Sequence, residues 1–225
     1  RLKSLIGTVE ASVYKSLNTY EMIDAVICCS EFLKSKLDTN PIFTKKTIAM
    51  HNFIDSVENT NTPKENYVLY FGRYSREKGI ELILNSKNTD YVCAGSGEYE
   101  NEINNQTHIK NVGFKSGEEL ESLIRRAKCS VYPSIWYENC PFSVMESIMY
   151  GTPVVGAKIG GIPELIENGK TGFLFEPGNT QDMENAINKI LADDALAAEM
   201  SNNCKNTHFD TVEKYTERLL KIYNS

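Results

Sequence analysis

Short, continuously apolar runs recur along this 225-residue chain, with amphipathic stretches between them. The runs are DAVICCS (24–30), NYVLYFG (66–72), DYVCAG (90–95), HIKNVGF (108–114), CSVYPS (129–134) and TPVVGA (152–157). A strand with one wet face would alternate apolar and polar residues. Several of these runs do not alternate, which fits parallel strands covered on both faces. KGIELILNSK (78–87) and GEELESLIRRAK (117–128) carry a helical period between them. Strand, helix, strand in repetition predicts an α/β fold on a doubly wound parallel sheet. Ligands of such sheets sit at the carboxyl ends of the strands. After GFLFEPGNT (172–180) the pattern turns to helices alone, so the carboxyl-terminal tail is expected to be all-helical. Its last helix is expected at about 210–223, opened by Asp210 and Glu213 at capping-box spacing.

The polar, turn-rich stretch MHNFIDSVENTNTPKEN (50–66) reads as a linker, which divides the chain. Residues 1–50 hold one strand and flanking helices, too little for a core of their own. Residues 51–65 form the connection, and 66–225 the main domain. The sequence opens at Arg1 on what reads as the middle of an element, and a piece of a longer chain is expected. Apolar content of 41% and charged content of 24% are ordinary for a globular protein. The net charge of −6 argues against a nucleic-acid partner, so phosphate binding would need a local cationic site. No apolar run approaches the roughly 20 residues that span a bilayer, and a chain without a leader is expected. The six cysteines show no CxxC or metal-finger spacing and are expected to be reduced thiols in a cytoplasmic protein. His51, His108 and His208 are scattered, so no metal site is expected.

Chemistry concentrates in WYENCPFSVMESIMYGTPVV (136–155). Pro141 suits the first position of a helix, and the helix PFSVMESIMY stops at Gly151, before Pro153. Glu146 then lies about one and a half turns inside, while Glu138 lies in the loop before it. Between them are the unpaired N–H groups of the helix start, a natural anion site. The carboxylates on either side suit neutral hydroxyl donors, which sugars supply in number. A lone pair at this spacing more often describes two solvated carboxylates. YFGRYSREKGIELIL (70–84) adds context: a buried strand ends at Gly72, Arg73 follows, and Lys78 sits where the next helix opens. A lysine there opposes the helix dipole, and an anionic ligand would relieve the conflict. Arg73 and Lys78 would form its clamp. CAGSGEYE (93–100) begins like a dinucleotide fingerprint, but Glu100 replaces the third glycine, so a dehydrogenase is not expected. Gly95 and Gly97 read as a tight turn near the cleft. GGIPEL (160–165) reads as a structural turn before a helix at Pro163, with Glu164 in its first turn, where the dipole favours it.

Taken in order, FGRYSREKG (71–79), AGSGEYE (94–100) and VYPSIWYENCPFSVMESIMYGTPVVGAKIGGIPELIENGKTGFLFEPGN (131–179) resemble the retaining family 4 (group 1) glycosyltransferases of the GT-B fold. The part resembled is their carboxyl-terminal, Rossmann-like donor-binding domain. DAVICCSEFLKSKL (24–37) and IAMHNFID (48–55) resemble the end of the family's amino-terminal, acceptor-binding domain and the interdomain linker. Asn52-Phe53-Ile54-Asp55 stands where the family usually has Asn-Gly before the aspartate.

The resemblance implies a donor that is a nucleotide-diphosphate sugar, such as a UDP- or GDP-sugar, with no cofactor and no metal. Arg73 and Lys78 would neutralise the diphosphate, helped by backbone near Ser143 and Val144. Glu146 would hold the ribose hydroxyls. Glu138, with backbone from Asn139, Cys140, Pro141 and Phe142, would hold the transferred sugar. The base would lie by the turn Gly113, Phe114, Lys115, close to Gly72. Transfer would retain anomeric configuration, by front-face attack rather than through a covalent Glu138 intermediate. The acceptor, a sugar or a lipid-linked sugar, would be held largely by the amino-terminal domain. A fragment lacking that domain is expected to be inactive alone. Cell-surface polysaccharide or lipopolysaccharide synthesis, in the cytoplasm or at the inner membrane face, is the expected setting, with peripheral membrane contact left open. Two other classes stay open: a nucleotide-sugar epimerase of GT-B fold, and a non-catalytic nucleotide-sugar-binding domain.

Overall fold

A computed structural model describes residues 2–58 and 60–224. The chain opens with α1 (Leu2–Ser16), a 3-10 turn (Thr19–Met22), β1 (Val26–Cys28), α2 (Glu31–Leu37) and β2 (Thr47–Ala49). β1 and β2 pair in parallel as a two-stranded sheet. β2 lies in a stretch read only as a prelude to the linker; it is short and half-exposed, so its apolar signal is weak.

The main domain follows with β3 (Glu65–Phe71), a 3-10 turn (Arg76–Lys78), α3 (Ile80–Asn85), β4 (Tyr91–Ala94), α4 (Glu100–Asn104) and β5 (Ile109–Asn111). Its second half runs α5 (Gly117–Arg126), β6 (Ala127–Tyr132), α6 (Phe142–Met149), β7 (Val154–Ala157), α7 (Ile162–Leu165) and β8 (Gly172–Phe175). Then come α8 (Thr180–Leu191), α9 (Asp194–Lys205) and α10 (Val212–Tyr223). GFLFEPGNT, read as the point where strands end, contributes the last strand itself.

β3 to β8 form one parallel sheet in the order β5-β4-β3-β6-β7-β8. The chain thus winds outward from β3 to one edge, returns to β6, and winds to the other edge. β6 and β7 are buried at every residue; the polar members of β6 are satisfied, the Lys128 ammonium by Asp194 and the Leu191 carbonyl and the Ser130 hydroxyl by Ser147. Successive residues of β3 feed opposite faces: Val68 and Tyr70 pack with Ile80, Ile83 and Ile187, and Leu69 and Phe71 pack with Ile124. Each such aliphatic side chain contributes roughly 1.5–3 kcal/mol on burial. α5 turns Leu120, Leu123 and Ile124 inward at helical spacing.

Two cap positions differ from expectation. Pro141 is the N-cap of α6, one residue before the first helical position. α10 is capped by Thr211, whose hydroxyl accepts from the Lys214 N–H, because the Asp210 carboxylate is held by Arg218. The linker lies against this end of the chain: the Ile54 N–H donates to the Asp210 carbonyl (3.0 Å), and Phe53 packs on Tyr215 with ring centroids 4.9 Å apart. All six cysteines are free. Burial pushes the Cys93, Cys129 and Cys204 thiols up to about 12, so they pack as small apolar groups.

Candidate functional site

β3 and β6 are neighbours whose connections leave in opposite directions, so a crevice opens where their carboxyl ends part. The segments leaving the two strands meet there. Gly79, at φ 74°, lies so close to the Pro133 carbonyl that a Cβ would sit 1.8 Å from its oxygen. This contact brings Lys78, just before α3, to the loop after β6. The Lys78 Nζ donates to Glu138 Oε1 at 2.6 Å and to the Tyr132 hydroxyl at 3.3 Å. The buried Ser134 hydroxyl donates to the same carboxylate oxygen at 3.2 Å. Burial pulls the Lys78 ammonium down, but Tyr132 and Glu138 outweigh it, and its pKa stands above the ordinary lysine value.

The glutamates of the E-x7-E pair sit as expected, one in the loop and one on the helix. Burial raises the Glu146 carboxyl, and among the described residues no ion pair offsets the loss of water. Between them α6 begins. Its Val144 N–H donates to the Pro141 carbonyl at 3.2 Å, so Val144, buried, is not a free donor. The Phe142 and Ser143 N–H groups make no hydrogen bond among the described residues, so the free donors at the helix start are these two rather than Ser143 and Val144. Asn139 and Phe142 are exposed beside them, while Cys140 is buried against Met145.

Arg73 does not touch Lys78. It reaches along the surface to Glu77 at 3.2 Å and also lines a cavity of about 270 Å³ at the ends of β3 and β4. Gly72, Phe114 and Lys115 line the same cavity, and Gly113 turns the chain beside it at φ 71°. The expected base-binding turn and Arg73 therefore share one hollow, which neither Lys78 nor Glu138 lines. Gly95 lets the β4 end approach β3, since a Cβ there would lie 1.9 Å from the Gly72 carbonyl oxygen.

GGIPEL is more than a turn. The Gly161 N–H donates to the Glu138 carbonyl at 2.6 Å, and a Cβ at Gly161 would lie 1.8 Å from the Asn139 carbonyl oxygen. Glu164 lies in α7, but the helix start it serves is that of α2: its oxygens accept from the Glu31 and Phe32 N–H groups at 2.8 and 2.7 Å. Tyr132 and Ser134 were hidden from the sequence, because a hydroxyl ending an apolar strand carries no pattern of its own. Among the described residues no cluster of three or more His, Cys, Asp or Glu side chains could hold a metal. No helix among them is long and apolar enough to cross a membrane.

A switch-point crevice flanked by cations, a free helix start and two carboxylates marks a Rossmann-like domain whose strand ends offer groups suited to an anion. The family model "Glycosyl transferases group 1" matches residues 54–207. The chain belongs to the group 1 glycosyltransferases, and its main domain is the carboxyl-terminal domain of their GT-B fold. An uncharacterized glycosyltransferase of Methanocaldococcus jannaschii is 27% identical over 191 residues, covering 81% of this chain and 54% of that protein. The alpha-D-kanosaminyltransferase of Streptomyces kanamyceticus is 28% identical over 151 residues, covering 60% of this chain and 39% of that protein. The chain thus spans about half the length, or less, of the curated relatives it matches. Among solved structures, Anabaena HepE in complex with UDP superposes with a TM-score of 0.78 at 20% identity, over 90% of this chain and 64% of that one. TarM superposes with a TM-score of 0.80 at 21% identity, over 93% and 46%.

Proposed function

We propose that this chain is the donor-binding half of a glycosyltransferase that moves a hexosyl group from a nucleotide-diphosphate sugar with retention of anomeric configuration. The observation that carries the reading is the Lys78–Glu138 contact at the mouth of the crevice, beside the unpaired N–H groups that open α6. A diphosphate placed there gains Lys78 and two backbone donors, and Arg73 borders its nucleoside end. Glu146, partly buried and in no ion pair among the described residues, supplies an acceptor for ribose hydroxyls. Glu138 does the same for the sugar. The base occupies the hollow at Gly113, Phe114 and Lys115. That a related fold is solved in complex with UDP makes UDP the first nucleotide to try.

Breaking the bond between the anomeric carbon and the diphosphate leaves charge on the leaving phosphate, which Lys78, Arg73 and the α6 start stabilise. These groups give the leaving group the charge that a metal ion supplies elsewhere. The anomeric carbon becomes oxocarbenium-like, and the acceptor oxygen attacks from the face the phosphate leaves. The departing phosphate takes the acceptor proton, and Glu138 steadies the sugar without bonding to it. The acceptor, a sugar or lipid-linked sugar of a cell-surface polysaccharide or lipopolysaccharide, is held largely by a further amino-terminal domain.

Calorimetric titration with UDP, GDP and ADP, repeated on Glu146→Ala and Arg73→Ala, tests the reading. One nucleotide should bind, and each substitution should weaken it by about 1–3 kcal/mol, the range of charge-assisted hydrogen bonds. Binding of none, or variants indistinguishable from the parent, would refute it. In an enzyme completed by its acceptor domain, Glu138→Gln separates the two mechanisms. A loss of only a few-fold in rate excludes a covalent glycosyl–Glu138 intermediate.

A further inference from the structure

Behind the loop that carries Glu138, Glu164 holds the start of α2, which lies on the other side of the linker. Glu164 Oε1 accepts the Phe32 N–H at 2.7 Å, and Oε2 accepts the Glu31 N–H at 2.8 Å while lying 2.8 Å from His51 Nε2. The Ser30 hydroxyl accepts the next N–H, that of Leu33, at 3.0 Å. The opening turn of α2 is therefore capped jointly by its own serine and by a carboxylate from far along the chain. Such charge-assisted bonds are about twice as strong as neutral ones.

Glu164 also stands three residues after Gly161, whose N–H donates to the Glu138 carbonyl at 2.6 Å. Gly160 and Gly161 press on the backbone of Glu138 and Asn139 with no room for a side chain: a Cβ on Gly160 would lie 2.2 Å from the Glu138 carbonyl oxygen. The same loop meets α2 on a second side, where the Tyr137 and Phe32 rings pack with centroids 5.0 Å apart. A third tie is the Asn52 side-chain amide, which donates to the Cys140 carbonyl at 3.0 Å.

We propose that Glu164 is a positioning residue that acts through Glu138. It locks the start of α2 onto the short segment 160–164 behind the Glu138 loop, so the seating of the amino-terminal part sets where that carboxylate stands. Glu164 itself does not reach the crevice. The inference rests on the reading of Glu138 as a sugar-facing group.

Hydrogen exchange on this chain, without ligand, tests the coupling in Glu164→Ala and in the isosteric Glu164→Gln. The Glu31 and Phe32 amides lose their acceptor directly and report only that the substitution took effect. The deciding amides are Gly161 and Ile135, bonded to the Glu138 and Glu77 carbonyls in the parent. In Glu164→Ala they should exchange at least about tenfold faster, with Glu164→Gln intermediate and the amides of β3 and β6 unchanged. Unchanged Gly161 and Ile135 would overturn the proposal, as would uniform acceleration that includes β3 and β6, the mark of plain destabilisation.

Linkage supplies a second arm with UDP as probe. If seating and site are coupled, UDP must slow exchange at Glu31 and Phe32 in the parent, by about threefold or more, and that slowing must weaken in Glu164→Gln. Bound UDP with no effect on those amides overturns the coupling. UDP that does not bind at all overturns the donor-site reading instead, and the ligand-free comparison still decides the role of Glu164.

Discussion

The Lys78–Glu138 pair predicts an effect of unusual sign. Its atoms are 2.6 Å apart, and the side chains are only 21% and 18% exposed. At an effective dielectric of about 20, the gross attraction is roughly 6 kcal/mol, most of which desolvation cancels. What is left is the net worth of a charge-assisted bond, about 1.5–3 kcal/mol. A diphosphate entering the crevice competes with Glu138 for this ammonium, and it must approach the carboxylate's own negative charge. Replacing Glu138 by Gln removes the negative charge behind both penalties and leaves Lys78 held by neutral acceptors, the amide oxygen and the Tyr132 hydroxyl.

Glu138→Gln should therefore bind UDP more tightly than the parent, by about 0.5–1.5 kcal/mol, or roughly twofold to tenfold. Lys78→Met should bind it more weakly by about 1.5–3 kcal/mol, roughly 10- to 150-fold. Calorimetry on both variants and on the double variant reads these terms directly, and the cycle gives the coupling. The double variant should bind UDP somewhat more tightly than Lys78→Met, because the carboxylate's repulsion is relieved there too, but by less than Glu138→Gln gains over the parent, because the competition for the ammonium is gone. An unchanged or weakened affinity in Glu138→Gln would refute the competition, and with it the placement of the diphosphate on Lys78.

Three further outcomes are expected. Burial raises the folded pKa of Glu146, so its ionisation costs stability as pH rises past the unfolded value, and Glu146→Gln should raise the Tm at pH 7 by a few degrees at most while weakening UDP; a lowered Tm would contradict this. Gly161→Ala puts a Cβ 1.8 Å from the Asn139 carbonyl oxygen, so urea unfolding should show a loss of about 1–3 kcal/mol, and a neutral result would mean that the Glu138 loop moves freely. Burial pulls the Lys64 ammonium, which donates to the Thr152 hydroxyl at 2.8 Å, down to about 8. The unfolded chain then holds more protons between about pH 8 and 10.4, so stability should rise with pH across that window and lose the rise in Lys64→Met, as urea unfolding at both ends would show.

The fold was legible where the signal was long. The second half of β3, and β6 and β7 throughout, are buried, and their residues are mostly apolar. β8 escaped because it is a four-residue edge strand with a half-buried centre, too short to set against the turn residues around it. The Asp210 cap failed for a different reason. Asp210 and Thr211 are adjacent and both able to cap, and the choice rests on Arg218, about two turns along, which takes the aspartate. Local spacing contains no such competition. In the site, Glu138, Lys78 and Glu146 could be placed individually, since each stands at a strand end or near a helix start. The contact between Lys78 and Glu138 could not, because it depends on β3 and β6 being neighbours although β4 and β5 intervene in the chain.

That dependence explains why the site is built around glycines as much as charges. Gly79 brings the Lys78 segment against Pro133, and Gly161 brings α7 against Asn139; in each case a Cβ would reach 1.8 Å from a carbonyl oxygen. Backbone thus meets backbone on both sides of Glu138, and the carboxylate is fixed by main-chain geometry before any ligand arrives. The energetic conflicts lie just beyond: a partly buried Glu146 with its pKa raised, two helix N–H groups without partners, and a lysine held by a carboxylate that an anion must displace. Each is a cost that a nucleotide sugar would remove, through ribose hydroxyls, phosphate oxygens and a sugar for Glu138 to hold. A site rigid in its backbone and unsatisfied in its polar groups is preorganised for a ligand carrying all three, and bare phosphate should bind it far more weakly than a nucleoside diphosphate.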